Sequence, residues 1–145
     1  MKVKVTPSKV SGNIKIPASK SMAHRALICA SLSNGTSIVS NVTNSKDIEA
    51  TVGCMKALGA KIQQIDETTY KVTGTNLFKQ EGNITCNANE SGSTLRFLIP
   101  LAACTNAKVK FLGQGRLLQR PMDVYANEFK EQNIEFNQSD KEIIV

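Results

Sequence analysis

The chain has 145 residues, of which 41% are hydrophobic, and this length and composition suit a globular protein that buries a core. The net charge of +6 at pH 7 favours an anionic partner, whereas the lack of Trp and the 5% aromatic content argue against a nucleic-acid site built on base stacking. No apolar run approaches the roughly 20 residues of a membrane helix, and the alternating Lys and Val at the N-terminus are unlike a signal peptide.

The first half of the chain predicts a strand, helix, strand, helix and hairpin. Apolar residues at helical spacing begin after Ser19, a good N-cap, and end at Asn34-Gly35, a pair that favours a helix C-terminus. In chain order, the predicted elements are extended segments at Val3–Val5 and Asn13–Ile16, a helix at Lys20–Leu32 with Ala23, Ala26, Leu27 and Ala30 on its apolar face, a strand at Thr36–Val42, a helix from Ser45 to Leu58, and a hairpin of Lys61–Ile65 with Thr69–Val72.

The second half predicts the same order again. Pro100 falls inside an apolar helical pattern and predicts a kink or break there, whereas Pro121 suits the first turn of a further helix. In chain order, the predicted elements are a strand at Asn83–Cys86, a helix at Ser91–Cys104, a strand at Lys108–Leu112, a helix at Pro121–Gln132, and a hairpin of Ile134–Phe136 with Glu142–Val145 that turns at Gln138-Ser139-Asp140.

The two halves carry an internal repeat. Arg25-Ala26-Leu27-Ile28 in the first predicted helix is matched by Arg96-Phe97-Leu98-Ile99 in the third, and Asp66 in the first hairpin is matched by Asp140 in the second. Such repetition predicts an α/β architecture in which each unit leaves an apolar face for the next. The chain ends at a unit boundary, as a piece of a longer repeat protein would; a complete protein with an accidental echo is the alternative.

Four cysteines and one histidine are scattered along the chain. They form no C-x-x-C pair, so we expect no metal site. Cys29, Cys54 and Cys104 fall within apolar helical patterns, where buried free thiols are common, and Cys86 lies in a predicted strand. Free thiols indicate a reducing, cytoplasmic setting.

The start of the first predicted helix carries a cluster of polar and cationic residues. Lys20 and Ser21 lie where unpaired backbone N–H groups and the positive end of the helix dipole face outward. Arg25 follows Ser21 by one helical turn and shares its face. This arrangement can bind a doubly charged anion such as a phosphate ester. A Ser19-capped surface helix with solvated cations is the alternative.

Two further helix starts repeat these residue types. At the third helix, Ser91 and Ser93 offer hydroxyl donors, and Gly92 allows a ligand to approach the backbone closely. Arg96 lies in the first turns, where it binds an anion, extends to solvent or pairs with Glu90. Before the fourth helix, the Gly-rich segment 113–120 contains two arginines but lacks the G-x-x-x-x-G-K-[ST] pattern of nucleoside triphosphatases.

No general acid–base pair stands out in the sequence. It contains neither G-x-S-x-G nor H-E-x-x-H. Four carboxylates on the predicted helices look like surface or first-turn charges, and these are Asp47, Glu49, Asp123 and Glu128. The residues therefore predict an anion-binding half-site without groups for proton transfer.

Taken together, these segments resemble the enolpyruvyl transferase family in its EPSP synthase (3-phosphoshikimate 1-carboxyvinyltransferase) branch. The resemblance rests on Pro17–Ser21 with Arg25-Ala26-Leu27, on Glu90–Arg96 and on Arg120-Pro121, in family order and spacing. It covers essentially the whole chain but only about the first third of a typical member. The implied fold is α/β, with repeated βαβαββ units arranged in two globes around the active site. This chain would hold two of the six units: an N-terminal strand segment of the other globe over 1–13, a first repeat over 14–76 and a second over 82–145.

The resemblance also implies a reaction. The enolpyruvyl group of phosphoenolpyruvate passes to the 5-hydroxyl of shikimate 3-phosphate, and phosphate leaves through a tetrahedral intermediate. The family enzyme is monomeric and cytoplasmic, uses no metal or organic cofactor and no nucleic-acid or membrane partner, and serves chorismate and aromatic amino acid biosynthesis. Carried over by position, shikimate 3-phosphate contacts Lys20, Ser21 and Arg25, and phosphoenolpyruvate contacts Lys20, Gly92 and Arg120, with Ser93 and Arg96 in support. The family's acid–base carboxylates come from later in the chain, so no catalytic residue and no activity are expected here.

Two alternatives stand beside this resemblance. UDP-N-acetylglucosamine enolpyruvyl transferases share the fold, but they carry Lys-Asn where this chain has Lys20-Ser21, and they have a loop cysteine that residues 113–120 lack. A non-catalytic basic module that binds RNA is disfavoured by the low aromatic content and by the helix-start placement of the cations.

Glu90 departs from the family pattern, and we expect it to pair with a nearby arginine.

Overall fold

The computed structural model describes residues 2–145, so Met1, which opens the segment predicted over 1–13, lies outside the described residues. Residues 2–19 contain neither helix nor strand, and the strands predicted at Val3–Val5 and Asn13–Ile16 are wrong. Their apolar side chains are exposed, for example Val3 at 71% and Ile14 at 87%. An alternating segment becomes a strand only when a neighbouring strand supplies its hydrogen bonds, and nothing in residues 2–145 pairs with these segments.

The first unit follows in the predicted order. Its elements are α1 (Lys20–Leu32), β1 (Thr36–Val39), α2 (Lys46–Ala57), β2 (Lys61–Asp66) and β3 (Thr69–Thr73). Both helices begin at a serine N-cap, because the side-chain oxygens of Ser19 and Ser45 each accept a hydrogen bond from a backbone N–H of the first turn. β1 is shorter than the predicted strand because Asn41 adopts φ = 58°, which turns the chain before Val42. The strands form an antiparallel sheet in the order β1-β3-β2.

The second unit repeats that order after one additional strand. Its elements are a 3₁₀ turn (Leu77–Lys79), β4 (Glu81–Asn87), α3 (Gly92–Ala102), β5 (Asn106–Leu112), a second 3₁₀ turn (Leu117–Gln119), α4 (Asp123–Glu131), β6 (Asn137–Gln138) and β7 (Ile143–Ile144). The strand predicted at Ile134–Phe136 is wrong, because this segment closes the C-terminus of α4. The Ile134 N–H donates to the Phe129 carbonyl at 2.8 Å, and Phe136 packs edge-on against the Phe129 ring.

The order of the strands confirms the predicted repeat. The second sheet runs β4-β5-β7-β6, with β4 parallel to β5 and the other neighbours antiparallel. β5, β7 and β6 therefore correspond to β1, β3 and β2, and α3 and α4 correspond to α1 and α2. Within residues 2–145, the first unit has no strand equivalent to β4.

Pro100 lies inside α3, which continues through it, so the predicted break does not occur. A proline has no N–H and leaves the carbonyl oxygen four residues earlier without its helical donor. Here that oxygen belongs to Arg96, and the Tyr125 hydroxyl of α4 donates to it at 2.9 Å. The proline thus creates the acceptor through which α4 is attached to α3.

The core is one cluster of apolar side chains drawn from both units. Its largest fully buried members include Leu27, Ile48, Met55, Leu58, Leu95, Leu98, Ile99 and Phe111. Three residues predicted on apolar helix faces are exposed instead. Ala26 and Cys29 lie on the outer face of α1, and Cys104 lies beyond the end of α3. Cys54 and Cys86 are buried, and all four thiols are free.

Two kinds of feature are missing from residues 2–145. None of the helices there combines the length and the apolar character needed to cross a bilayer. No group of three or more His, Cys, Asp or Glu side chains is placed there to hold a metal ion.

Candidate functional site

A surface cavity of about 430 Å³ lies where the N-terminus of α3 meets the segment before α4. Four of the predicted site residues line it, and these are Gly92, Ser93, Arg96 and Arg120. The other lining residues are Asp47, Glu90, Ser91 and Phe97. The cavity therefore joins two of the three helix starts that the sequence marks as anion-binding.

The guanidinium group of Arg120 lies directly against the first turn of α3. A Cβ atom added to Gly92 would lie 2.5 Å from Arg120 Nη1, so only glycine leaves room for this approach. The Gln138 amide donates to the carbonyl oxygens of Leu118 (2.7 Å) and Arg120 (3.0 Å), which fixes the backbone that carries the arginine. The contacts follow the second 3₁₀ turn (Leu117–Gln119), and α4 begins at Asp123, two residues after the predicted Pro121. Arg120 and the free N–H groups of α3 thus converge on one place.

Lys20 reaches the border of the cavity through Asp47. Its Nζ lies 2.9 Å from Asp47 Oδ2, and Asp47 lines the cavity. Both side chains are partly exposed, at 55% and 38%, so the ion pair stabilises the fold by only about 0–1 kcal/mol. An anion placed in the cavity would compete with Asp47 for this ammonium group.

Arg25 is connected to the same cavity through Phe97. Its guanidinium carbon lies 4.9 Å from the centroid of the Phe97 ring, which is a cation–π contact. The Arg25 Nη1 group also donates to the Ser21 carbonyl oxygen at 2.9 Å. None of Lys20, Ser21 and Arg25 lines the cavity. Lys20 and Arg25 each contact a residue that does, whereas Ser21 makes no such contact.

The expected pairing of Glu90 with an arginine is wrong. The ion pairs of the described residues are Lys20–Asp47, Lys108–Glu135 and Lys110–Glu142. The carboxylate of Glu90 lies instead over Gly115, where an added Cβ would be 2.8 Å from Glu90 Oε1. Gly115 has φ = 58°, a backbone conformation that lets the Gly-rich loop turn beneath this carboxylate. Glu90 and Asp47 therefore place negative charge on a cavity that also holds Arg96 and Arg120.

A chain of buried polar side chains runs behind the cavity from α1 to α3. Its members are His24, Thr51, Thr94 and Ser91, and each is at most 3% exposed. His24 Nδ1 lies 2.7 Å from Thr51 Oγ1. Thr94 Oγ1 lies 2.7 Å from Thr51 Oγ1 on one side and 2.7 Å from Ser91 Oγ on the other. Burial lowers the pKa of His24 below its ordinary value of 6.5, an effect opposed by the Asp47 carboxylate and reinforced by Lys20 and Arg25. The imidazole is therefore neutral at pH 7.

Comparison with known proteins identifies the family. A family model described as EPSP synthase (3-phosphoshikimate 1-carboxyvinyltransferase) matches residues 4–145. The 3-phosphoshikimate 1-carboxyvinyltransferase of Clostridium perfringens strain SM101 is 46% identical over 142 residues, which is 98% of this chain and 33% of that protein. The protein of the same name from Clostridium kluyveri is 48% identical over 132 residues, which is 91% of this chain and 30% of that protein. The chain thus spans about a third of the length of the curated relatives it matches.

The fold is similar to that of a solved EPSP synthase from Acinetobacter baumannii. The TM-score is 0.79 at 18% sequence identity, over 92% of this chain and 32% of that structure. Similarity at this level of identity is a statement about the fold, and it agrees with the α/β units described above.

Proposed function

This chain belongs to the EPSP synthase family, and from that premise we propose that it forms part of the substrate site of a 3-phosphoshikimate 1-carboxyvinyltransferase. In this reaction the 5-hydroxyl oxygen of shikimate 3-phosphate loses its proton and forms a bond to the carbon of phosphoenolpyruvate that bears the phosphate oxygen, while the neighbouring methylene carbon gains a proton. The resulting tetrahedral intermediate then breaks its bond to the phosphate oxygen, and the methyl group loses a proton as the double bond re-forms. The products are 5-enolpyruvylshikimate 3-phosphate and inorganic phosphate.

The observation that carries the proposal is the contact between Arg120 and the start of α3 at Gly92. A guanidinium group and the N–H groups of a helix N-terminus both favour a phosphate or carboxylate. We assign phosphoenolpyruvate to Gly92, Arg120 and Lys20. Ser93 and Arg96, which line the same cavity, support this assignment.

We assign the phosphate of shikimate 3-phosphate to the α1 side, at Lys20, Ser21 and Arg25. Two phosphorylated substrates repel each other, and cations around both reduce that repulsion while they hold the reacting atoms close. Lys20 stands between the two groups, since its ammonium already bridges α1 to the cavity residue Asp47.

The residues that move protons belong, in this proposal, to the part of the family fold that the chain does not span. Two of the described carboxylates line the cavity. Asp47 pairs with Lys20, and Glu90 lies over Gly115. We therefore expect the 145-residue chain to bind substrate anions and to make no product. For the whole enzyme we propose a monomer in the cytoplasm, where the four free thiols stay reduced.

Calorimetric titration of the chain with phosphoenolpyruvate and with shikimate 3-phosphate tests this function. We expect binding of both, and a weakening of phosphoenolpyruvate binding by about tenfold or more in Arg120→Lys, because lysine cannot donate a fork of hydrogen bonds. Arg116→Lys is the matched control, since Arg116 is in the same loop and does not line the cavity.

Three results would count against the proposal. One is equal phosphoenolpyruvate binding by Arg120→Lys and the unaltered chain. Another is product formation by the chain alone, which would place proton transfer within these residues. The third is preferential binding of RNA with a steep salt dependence, which would favour the basic-module alternative.

A further inference from the structure

We propose that the hydroxyl group of Ser91 donates a hydrogen bond to an anion bound at the start of α3, and that His24, Thr51 and Thr94 fix the direction of this bond. The inference rests on the proposed function only in taking an anion to bind in this cavity. Ser91 is then a binding residue, and the other three residues position it from behind.

The distances select one path through the buried chain. The Thr94 hydroxyl lies 2.7 Å from Ser91 Oγ and 3.3 Å from the Asp47 carbonyl oxygen. The Thr51 hydroxyl lies 2.7 Å from Thr94 Oγ1 and 3.4 Å from the same carbonyl. The short contacts follow the side chains rather than the backbone, so each hydroxyl bonds mainly to the next side chain.

Counting protons gives the direction of donation along the hydrogen bonds from His24 to Ser91. The Thr94 hydroxyl donates to Ser91 Oγ and has a single proton, so the bond between Thr51 and Thr94 must be donated by Thr51. The Thr51 oxygen then accepts, and the donor to it is His24 Nδ1. The neutral imidazole therefore carries its proton on Nδ1, and the order of donation is His24, Thr51, Thr94, Ser91.

At the end of this path, Ser91 has one proton left. Its oxygen accepts from the Thr94 hydroxyl and from the Thr94 backbone N–H. Among the hydrogen bonds of residues 2–145, none is donated by the Ser91 hydroxyl. Ser91 is 3% exposed, and the space that it lines is the cavity beside Gly92 and Arg120. A charged oxygen placed there would accept this proton in a hydrogen bond stronger than one between neutral groups.

The direction of these hydrogen bonds can be measured at His24, because it is the single histidine of the protein. Nitrogen NMR of the isotope-labelled imidazole distinguishes the Nδ1-protonated form from the Nε2-protonated form. We expect the Nδ1 form in the unaltered chain and loss of that signature in Thr51→Val, which keeps the side-chain shape and removes the hydroxyl. Ser31→Ala is the control, since Ser31 is a buried hydroxyl on α1 that bonds to the Leu27 carbonyl.

Binding of inorganic phosphate and of phosphoenolpyruvate tests the role of Ser91. We expect Ser91→Ala to bind roughly tenfold more weakly, and Thr51→Val to bind more weakly although Thr51 does not line the cavity. Ser45→Ala is the matched control, because Ser91 is the N-cap of α3 and Ser45 is the N-cap of α2, so each substitution removes one N-cap hydrogen bond.

The outcomes separate this inference from the proposed function. Unchanged binding by both Ser91→Ala and Thr51→Val would overturn the inference and leave the proposed function standing. An Nε2-protonated His24 in the unaltered chain would overturn the order of donation. If the unaltered chain bound neither anion, both the proposed function and the role of Ser91 would fail.

Discussion

Replacing Gly92 with alanine is expected to weaken anion binding without destabilising the fold. The added Cβ would lie 2.5 Å from Arg120 Nη1, 3.6 Å from its Cζ and 4.0 Å from Leu117 Cδ1. The obstructing atom is the tip of an exposed, flexible side chain, so the guanidinium group swings away from α3 with little strain. Alanine is also favoured over glycine in helices by up to about 1 kcal/mol. The free energy of unfolding should therefore stay constant or rise slightly.

The loss in binding follows from the displaced guanidinium. A hydrogen bond to a charged group contributes about 1.5–3 kcal/mol, so Gly92→Ala should raise the Kd for phosphoenolpyruvate about 10- to 150-fold. Calorimetry measures the Kd, and thermal unfolding followed by circular dichroism measures stability. The matched control is Gly53→Ala in α2, where an added Cβ meets nothing within 4 Å. This control should raise helix stability and leave binding unchanged.

Two results would refute this reasoning. If Gly92→Ala bound phosphoenolpyruvate as tightly as the unaltered chain, the approach of Arg120 to α3 would have no part in binding. If the variant unfolded at a markedly lower temperature, the added methyl group would be straining the backbone rather than moving one side chain.

Two other predictions use the groups around the cavity. Asp47→Asn should tighten phosphoenolpyruvate binding in calorimetry, because it frees the Lys20 ammonium and removes a negative charge, while the free energy of unfolding changes by no more than about 1 kcal/mol; weaker binding would contradict the proposed competition. The lowered pKa of buried His24 means that the unfolded chain takes up a proton below pH 6.5 before the folded chain does. Stability should therefore fall as the pH drops from 6.5 towards the folded-state pKa, by at most about 1.4 kcal/mol per pH unit from this group. Denaturant unfolding at several pH values measures the slope, and an undiminished slope in His24→Asn would assign it to other groups.

The parts of the fold that follow from local signals were predictable. The bounds of α1 agree with the prediction at both ends, because the Ser19 cap, the apolar spacing and Asn34-Gly35 all act within a few residues. Residues 13–16 have an equally clear alternating pattern, but no strand lies beside them. A strand forms only where a neighbouring strand supplies its hydrogen bonds. Pro121 likewise has the right local preference for a helix start, but α4 begins two residues later, at Asp123, with Met122 as its N-cap.

The candidate site was also predictable only in part. The cationic helix starts were predictable because the chemistry of a helix terminus is local, and the structure brings Gly92, Ser93, Arg96 and Arg120 to one cavity. The contacts that join α1 to that cavity depend on how helices cross, which no periodicity encodes. One hint existed: Lys20 with Asp47 and His24 with Thr51 have the same separation of 27 residues, as expected for two helices packed side by side.

Pro100 costs α3 one backbone hydrogen bond and leaves a carbonyl oxygen that bonds to α4. Alanine at this position would supply an N–H to the Arg96 carbonyl, complete the backbone ladder of α3 and compete with the Tyr125 hydroxyl for the same oxygen. α4 would then be held less firmly beside α3. A more regular α3 would thus be joined less closely to α4, so the missing backbone hydrogen bond in this helix is part of how the two helices are held together.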